Sequence, residues 1–133
     1  HRARQIGKIW PNREWEKLMA DAAPLRVLFV CSRNRLRSPT AEAVFNAVAG
    51  VEARSAGTAR DADWQVTMDD IRWADLIVCM EDKHANRLRA DFRQAVSHKR
   101  VCVLGIPDDY KFMQDELVAL LRTRAMPLIR AQE

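Results

Sequence analysis

The sequence is poor in the features that define several classes of protein. It has three cysteines among 133 residues, widely spaced and without a C-x-x-C pair, which indicates neither a disulfide framework nor a zinc site. No apolar run approaches the roughly 20 residues of a membrane-spanning helix, and the first ten residues lack the apolar core of a signal peptide. We therefore expect no membrane association, no metal or other cofactor, and a cytoplasmic location in which thiols stay reduced.

The charge pattern is equally plain. The formal net charge is +4 and the pI is about 9.3, yet the basic residues form no run and do not alternate with aromatic residues. This is typical of a solvated surface with a modest excess of arginine. The excess is compatible with anionic ligands such as phosphoproteins, nucleotides or nucleic acid, but no motif supports nucleic-acid binding.

Strand and helix patterns alternate from Leu25 onward, which predicts an α/β fold with three layers and a parallel sheet. Right-handed crossovers give the strand order 2-1-3-4, with helices on both faces. The predicted strands are Arg26–Val30, Val51–Ser55, Asp75–Met80 and Lys99–Leu104. The predicted helices are Pro39–Ala49 (Ser38 as N-cap), Val66–Trp73, Lys83–Val96 and Phe112–Thr123. Residues 1–24 are expected to form an extension with one short helix, and residues 25–133 the α/β domain.

One stretch of the chain combines the features of an anion site. Residues 27–40 read VLFVCSRNRLRSPT, an apolar run that ends on Cys31, then a cationic loop and a helix start. Such a unit presents backbone N–H groups and a helix N-terminus to the loop interior, which suits a bound phosphate. Arg37 adds a planar donor that matches two phosphate oxygens. The positive field of these groups favours the thiolate of Cys31, which makes Cys31 a candidate nucleophile. The pattern therefore predicts a phosphate-ester enzyme.

Other residues with reactive side chains have ordinary explanations. Cys79 and Cys102 lie within predicted strands, where a structural role is expected. His84 and His98 flank a polar predicted helix without further ligands at metal-binding spacing, so we expect both on the surface.

The motif VLFVC-x5-RSPTAE resembles the phosphate-binding loop of the low-molecular-weight protein tyrosine phosphatases. Residues 55–58 reproduce the SAGT that follows the second strand in that family. Residues 106–110, IPDDY, stand where the family has an Asp-Pro-aromatic loop that carries the general acid. The resemblance implies a phosphomonoester hydrolase that works through a phosphocysteine, with a phosphotyrosine protein or another phosphomonoester as substrate.

Carried over position by position, the resemblance assigns roles to six residues. Cys31 is the nucleophile, Arg37 the phosphate clamp, and Asp108 the acid and later the base. Ser38 stabilises the thiolate, while Ser55 braces Asn34, which holds the shape of the loop. The remaining residues of the loop are Ser32, Arg33, Arg35 and Leu36.

The sequence also departs from the family pattern at several positions. Arg33 replaces the loop glycine, Arg35 an apolar residue, and Leu36 a second cysteine that can protect the nucleophile as a disulfide. Asp109 replaces the proline after the acid, so it is an alternative acid or the N-cap of the next helix. Tyr110 either forms a wall of the pocket or anchors that helix.

Three alternatives to a protein phosphatase remain open at this point. The same site suits a phosphatase of nucleotide or nucleic-acid phosphates, for which the arginine excess is the motivation. It also suits a thiol-dependent arsenate reductase, although that chemistry needs further accessible cysteines. A phosphate-binding module without turnover is the alternative from outside the enzymes.

Overall fold

The computed structural model describes residues 13–14 and 23–131, so the predicted N-terminal extension lies almost entirely outside the described residues. Strands and helices alternate along residues 23–131, except that two helices follow the third strand. In chain order they are β1 (Leu25–Cys31), α1 (Arg37–Asn46), β2 (Val51–Gly57), α2 (Met68–Trp73), β3 (Leu76–Cys79), α3 (Asp82–Asp91), α4 (Arg93–Ser97), β4 (Arg100–Val103) and α5 (Asp115–Arg130).

The four strands form one parallel sheet in the order β2-β1-β3-β4, which confirms the predicted fold and strand order. Strand β1 is central: it pairs with β2 from Leu25 to Cys31 and with β3 from Val27 to Val30. Parallel strands are covered on both faces and read as continuous apolar runs. The LFV run and its neighbours in β1 accordingly have no exposed surface.

Two hydrophobic clusters lie on opposite faces of the sheet and make the three layers. Val27 and Phe29 face a cluster shared with α1 and α5. Leu28 and Val30 face a cluster shared with α2, α3 and α4. The side chains of β1 alternate between the two clusters because successive residues of a strand point to opposite faces.

The structure differs from the predicted helices most clearly in the last two of them. The helix predicted over Lys83–Val96 is interrupted at Phe92, whose backbone is not helical, and continues as the separate helix α4. Helix α5 runs through Pro127 to Arg130, whereas its predicted end was Thr123. Proline costs the helix one backbone hydrogen bond, but Met126 and Ile129 on either side are buried in the core. The burial of these two residues stabilises the helix on both sides of the proline.

Within residues 13–14 and 23–131, no helix is both long and apolar enough to cross a membrane. The same residues contain no group of three or more His, Cys, Asp or Glu side chains placed to hold a metal ion.

Candidate active site

Cys31 is the last residue of β1 and lies at the carboxyl edge of the sheet, beside the strand-order switch where ligands of such folds bind. The residue is 3% exposed. Its Sγ accepts a hydrogen bond from the Asn34 N–H at 3.3 Å and lies 2.9 Å from Ser38 Oγ. The loop therefore curls back over the sulfur, and a hydroxyl stands ready to donate to it.

Asn34 stabilises the turn of the loop from within. Its φ of 57° is left-handed, a conformation that asparagine adopts more readily than most residues. Its Nδ2 donates to Ser38 Oγ at 3.0 Å and to Ser55 Oγ at 2.8 Å. Ser55 Oγ in turn donates to Glu42 Oε1 at 2.6 Å. This chain of hydrogen bonds links the loop to both β2 and α1.

Ser38 lies in the first turn of α1, so its predicted N-cap role was wrong. The cap position is Leu36, which makes no side-chain capping bond and is partly exposed. Ser38 is fully buried, and its hydroxyl meets the Cys31 sulfur and the Asn34 amide. These partners occupy the hydroxyl that a cap would use.

Arg37, the first residue of α1, is the largest of the fully buried side chains in the described part of the protein. Its Nη1 donates to Glu81 Oε1 and, at 2.8 Å, to the carbonyl of Ile106. Its Nε is buried without a hydrogen-bond partner among the described residues, and Asp108 Oδ1 is 3.7 Å away. Since a buried N–H without an acceptor is costly, this edge of the guanidinium suits an anion.

The loop between β4 and α5 places Asp108 beside Arg37 and leaves its carboxyl 60% exposed. Asp109 is exposed as well, and it does not cap a helix. Helix α5 begins only at Asp115, with Gln114 as its N-cap. The start is delayed because Met113 has a left-handed backbone, with its N–H bound to Thr40 Oγ1 at 2.9 Å.

Tyr110 is partly buried and packs against the hydrophobic cluster of α1 and α5. This contact anchors the segment before α5, which was one of the two roles considered for it. A part in forming a wall of the pocket stays a prediction.

The outer side of the loop between β1 and α1, which we call the rim, forms hydrogen bonds and ion pairs with the segment after β2. Arg35 Nε donates to Asp63 Oδ1 at 3.1 Å, and Arg33 Nε lies 3.8 Å from Asp61 Oδ2. The carbonyl of Arg33 accepts from the Asp63 N–H at 3.0 Å. The non-glycine residues with positive φ in the described ranges are Asn34 and Met113. Arg33 therefore needs no glycine-like backbone, and the loop closes with a side chain at this position.

Gly57 at the end of β2 permits the close approach of the two segments. A Cβ atom at this position would lie 2.5 Å from the Ser32 carbonyl oxygen and 3.0 Å from the Asn34 nitrogen. The glycine of the SAGT sequence is thus required by contact with the loop.

Glu81 and His84 were missed by sequence reasoning. His84 is 1% exposed, so its predicted surface position was wrong, and its Nε2 lies 2.9 Å from Ser32 Oγ. Glu81 lies two residues after β3 and His84 in the first turn of α3, and the carboxyl ends of parallel neighbours meet at one edge of the sheet. That position was the signal that could have identified them.

Arg37 and burial set the pKa values of the two titratable groups at this edge of the sheet. The hydrogen bond from Arg37 holds the pKa of Glu81 below its ordinary value. Burial, and next the charge of Arg37, lowers the pKa of His84 to about 4. Near pH 7 the carboxyl of Glu81 is therefore charged and the imidazole of His84 neutral.

The other two cysteines lie in the sheet. Burial raises the pKa of the Cys79 thiol to about 12, which keeps it protonated and unreactive. Cys102 is partly buried in β4, and both thiols are free.

Comparisons with known proteins agree with this site. Residues 26–68 match the model of the low molecular weight phosphotyrosine protein phosphatase family. No curated protein sequence matches the chain. The matched segment contains the whole Cys31–Arg37 loop and the SAGT sequence, together with the rim segment that contacts the loop.

Three solved structures extend the likeness beyond that segment. The YwlE arginine phosphatase of Geobacillus stearothermophilus is 26% identical, with a TM-score of 0.64 over 82% of this chain and 96% of its own. The tyrosine phosphatase AmsI of Erwinia amylovora is 25% identical, with a TM-score of 0.65 over 84% and 95%. A YwlE variant with a phosphorylated active-site serine is 26% identical, with a TM-score of 0.61 over 78% and 95%.

The geometry of the site places three groups together: a cysteine under a curled loop, a buried arginine, and an aspartate from the loop between β4 and α5. In the loop, which lies in the segment that matches the family model, and in the fold, which matches solved phosphatases, the chain is similar to the low molecular weight phosphotyrosine protein phosphatases.

Proposed function

We propose that the protein hydrolyses phosphotyrosine in proteins, or a closely related phosphomonoester, through a phosphocysteine formed on Cys31. The observation that carries the proposal is the convergence of three groups. The Cys31 sulfur lies inside the loop, the Nε of Arg37 is buried without a partner among the described residues, and the Asp108 carboxyl is 3.7 Å from that Nε. A cytoplasmic location, where thiols stay reduced, fits this chemistry.

In the first step the thiolate of Cys31 attacks phosphorus and forms the S–P bond while the P–O bond to the leaving group breaks. Arg37 binds the equatorial oxygens, on which charge is spread in the transition state. Asp108, exposed enough to reach a substrate, gives its proton to the leaving oxygen. The Glu81 carboxylate and the Ile106 carbonyl hold Arg37 from behind, so it is oriented before the substrate arrives.

In the second step Asp108, now ionised, takes a proton from a water molecule that attacks phosphorus. The S–P bond breaks and the thiolate re-forms, with phosphate as the product. The hydroxyl of Ser38, 2.9 Å from the sulfur, donates a hydrogen bond to the departing thiolate. The phosphorylated serine of the similar YwlE variant supports an intermediate on the residue at this place.

Replacement of the nucleophile tests the proposal. We expect Cys31→Ser to abolish hydrolysis of p-nitrophenyl phosphate, with a loss on the scale of nucleophile removal, about 10⁶-fold. Phosphate or vanadate binding should persist, because the loop and Arg37 remain. Cys102→Ser is the matched control and should keep full activity. A Cys31→Ser enzyme that retains more than a few per cent of wild-type turnover contradicts the assignment.

The substrate is tested by comparing kcat/KM for a phosphotyrosine peptide, a phosphoarginine peptide and a 5′-phosphorylated oligonucleotide. One similar structure is an arginine phosphatase and another a tyrosine phosphatase, so both peptides belong in the comparison. A preference for the tyrosine peptide supports the proposal, whereas a preference for the oligonucleotide favours the nucleic-acid alternative. Binding of all three without turnover would indicate a phosphate-binding module.

A further inference from the structure

The imidazole of His84 uses both nitrogens in the interior of the protein. Its Nδ1 accepts a hydrogen bond from the backbone N–H of Glu81 at 3.0 Å, and its Nε2 lies 2.9 Å from Ser32 Oγ. With 1% of its surface exposed, the ring has no contact with bulk solvent. Both contacts reach residues next to the proposed reaction centre.

The hydrogen-bond pattern assigns the tautomer of the ring. An N–H donor faces Nδ1, so Nδ1 carries no proton, and the proton of the neutral ring is on Nε2. Nε2 therefore donates to the hydroxyl of Ser32. A protonated ring would set Nδ1–H against the Glu81 N–H, and this bond would be lost.

The two hydrogen bonds of His84 form a bridge between Ser32 and Glu81. Each end of this bridge supports a different part of the site. Ser32 is the first residue after Cys31, and its carbonyl accepts from the Ala59 N–H at 2.9 Å. Glu81 carries the carboxylate that binds Arg37. A single buried ring thus connects the start of the loop to the residue that orients the arginine.

We propose that His84 is a positioning residue that fixes the start of the phosphate-binding loop relative to the Glu81–Arg37 pair. The inference rests on the proposed function, because it assigns His84 to the organisation of that same site. His84 acts through Ser32 and Glu81, and the bridge sets the loop geometry before a substrate binds.

Three variants divide the bridge into its two halves. In His84→Asn the amide oxygen stands near the place of Nδ1 and keeps an acceptor for Glu81, but the side chain is too short for Ser32. In His84→Gln the longer amide reaches Ser32 as a donor and gives up the first contact. Ser32→Ala removes the hydroxyl while the ring stays. His98→Asn, at an exposed histidine, is the matched control.

We expect His84→Asn and Ser32→Ala each to lower kcat/KM for p-nitrophenyl phosphate about tenfold, the value of one hydrogen bond in the interior. The loss should appear in KM as well as in kcat, because the same loop binds the phosphate group before and during the reaction. The double variant should lose no more than either single variant, because both remove the same contact. His84→Gln should recover most of the activity, and His98→Asn should match the wild type.

Phosphate affinity, measured by calorimetry with the same changes in a Cys31→Ser background, separates this inference from the proposed function. Loss of affinity with His84→Asn supports the positioning role even if the wild type shows no turnover. Cys31-dependent turnover that is unchanged in His84→Asn, with only the melting temperature lowered, overturns the positioning role and leaves the proposed function intact. Additive losses in the double variant also overturn it. If His84→Asn fails to fold, Ser32→Ala decides, and unchanged phosphate affinity there counts against the bridge.

Discussion

Arginines in one short loop meet two different environments. The guanidinium of Arg37 is 2% exposed and bound by a carboxylate and a carbonyl in the interior, whereas Arg33 and Arg35 are 61% and 46% exposed and pair with aspartates at the rim. Arginine is thus a buried, fixed charge on the inner side of the loop, and on the outer side it forms exposed ion pairs with the segment after β2.

The two sides of the loop differ in how far solvent and salt screen the arginine charges. An exposed ion pair contributes about 0–1 kcal/mol and is screened by salt. Arg37 lies where charges are screened little, and a buried charge must be paired. Glu81 supplies the charge, and the edge of the guanidinium that carries Nε is left for a phosphate. The inner side of the loop should therefore control activity, and the rim mainly the shape of the loop.

The largest expected effect comes from Arg37→Lys. Lysine keeps the charge but loses the planar, bidentate fit to the equatorial oxygens. An arginine that stabilises a transferring phosphoryl group is worth about 10³–10⁵ in kcat, and we expect a loss of this size. Arg35→Lys, at an exposed rim position, should change kcat less than about threefold. The comparison between the two sides fails if steady-state assays give the two lysine variants similar losses.

The next effect concerns the acid. We expect Asp108→Asn to slow the hydrolysis of phosphate esters with basic leaving groups by about 10²–10⁴, the range of general acid catalysis. Esters with activated aryl leaving groups should lose less, because they need less help from a proton. Asp109→Asn should show a small effect that does not depend on the leaving group. The slopes of log kcat/KM against leaving-group pKa check this, and a flat wild-type plot would mean that Asp108 does not donate the proton.

A third prediction compares stability on the buried side at different pH values. His84 titrates near pH 6.5 in the unfolded chain and near pH 4 in the folded one. The unfolded state therefore binds more protons between these values, so stability rises with pH from about 4 to 6.5 and is then constant. The gain amounts to at most about 3 kcal/mol.

Urea denaturation at several pH values measures this gain. His84→Gln should flatten the curve between about pH 4.5 and about pH 6.5, whereas His98→Gln should not. The Arg37 hydrogen bond lowers the pKa of Glu81. Protonation of Glu81 at more acid pH therefore lowers the stability further as the pH falls. An unchanged slope in His84→Gln would show that another group is responsible.

Sequence reasoning reached the sheet and the loop because both depend on local patterns. The apolar run that ends on Cys31 and the spacing to Arg37 lie within one strand–loop–helix unit. Glu81 and His84 belong to another unit, and their contacts with Arg37 and Ser32 span 44 and 52 positions of the chain. A polar residue at a helix start looks exposed from its neighbours alone, whereas in the structure His84 is buried and contacts Ser32 of the loop after β1.

Ser38 and Asp109 show a different reason for wrong predictions. Both are frequent N-cap residue types, and the local sequence favoured that use. Tertiary contacts changed both: Ser38 turns its hydroxyl to the Cys31 sulfur, and the left-handed Met113 delays the start of α5 until Asp115. Capping preference is weak beside the contacts of a buried loop.

The smallest effect is expected at the rim. Asp63→Asn removes the charged partner of Arg35. The hydrogen bond from Arg35 Nη2 to the Asp61 carbonyl and the backbone bond from residue 63 to the Arg33 carbonyl can remain. We expect stability to fall by less than about 1 kcal/mol and kcat/KM to change less than about threefold. In about 1 M salt, where the Debye length is about 3 Å, the variant and the wild type should become equal. Chemical denaturation and steady-state kinetics at two salt concentrations measure both quantities. A tenfold loss of kcat/KM that persists in high salt would place the rim pair within the reaction centre, and the division of the loop into two sides would then be wrong.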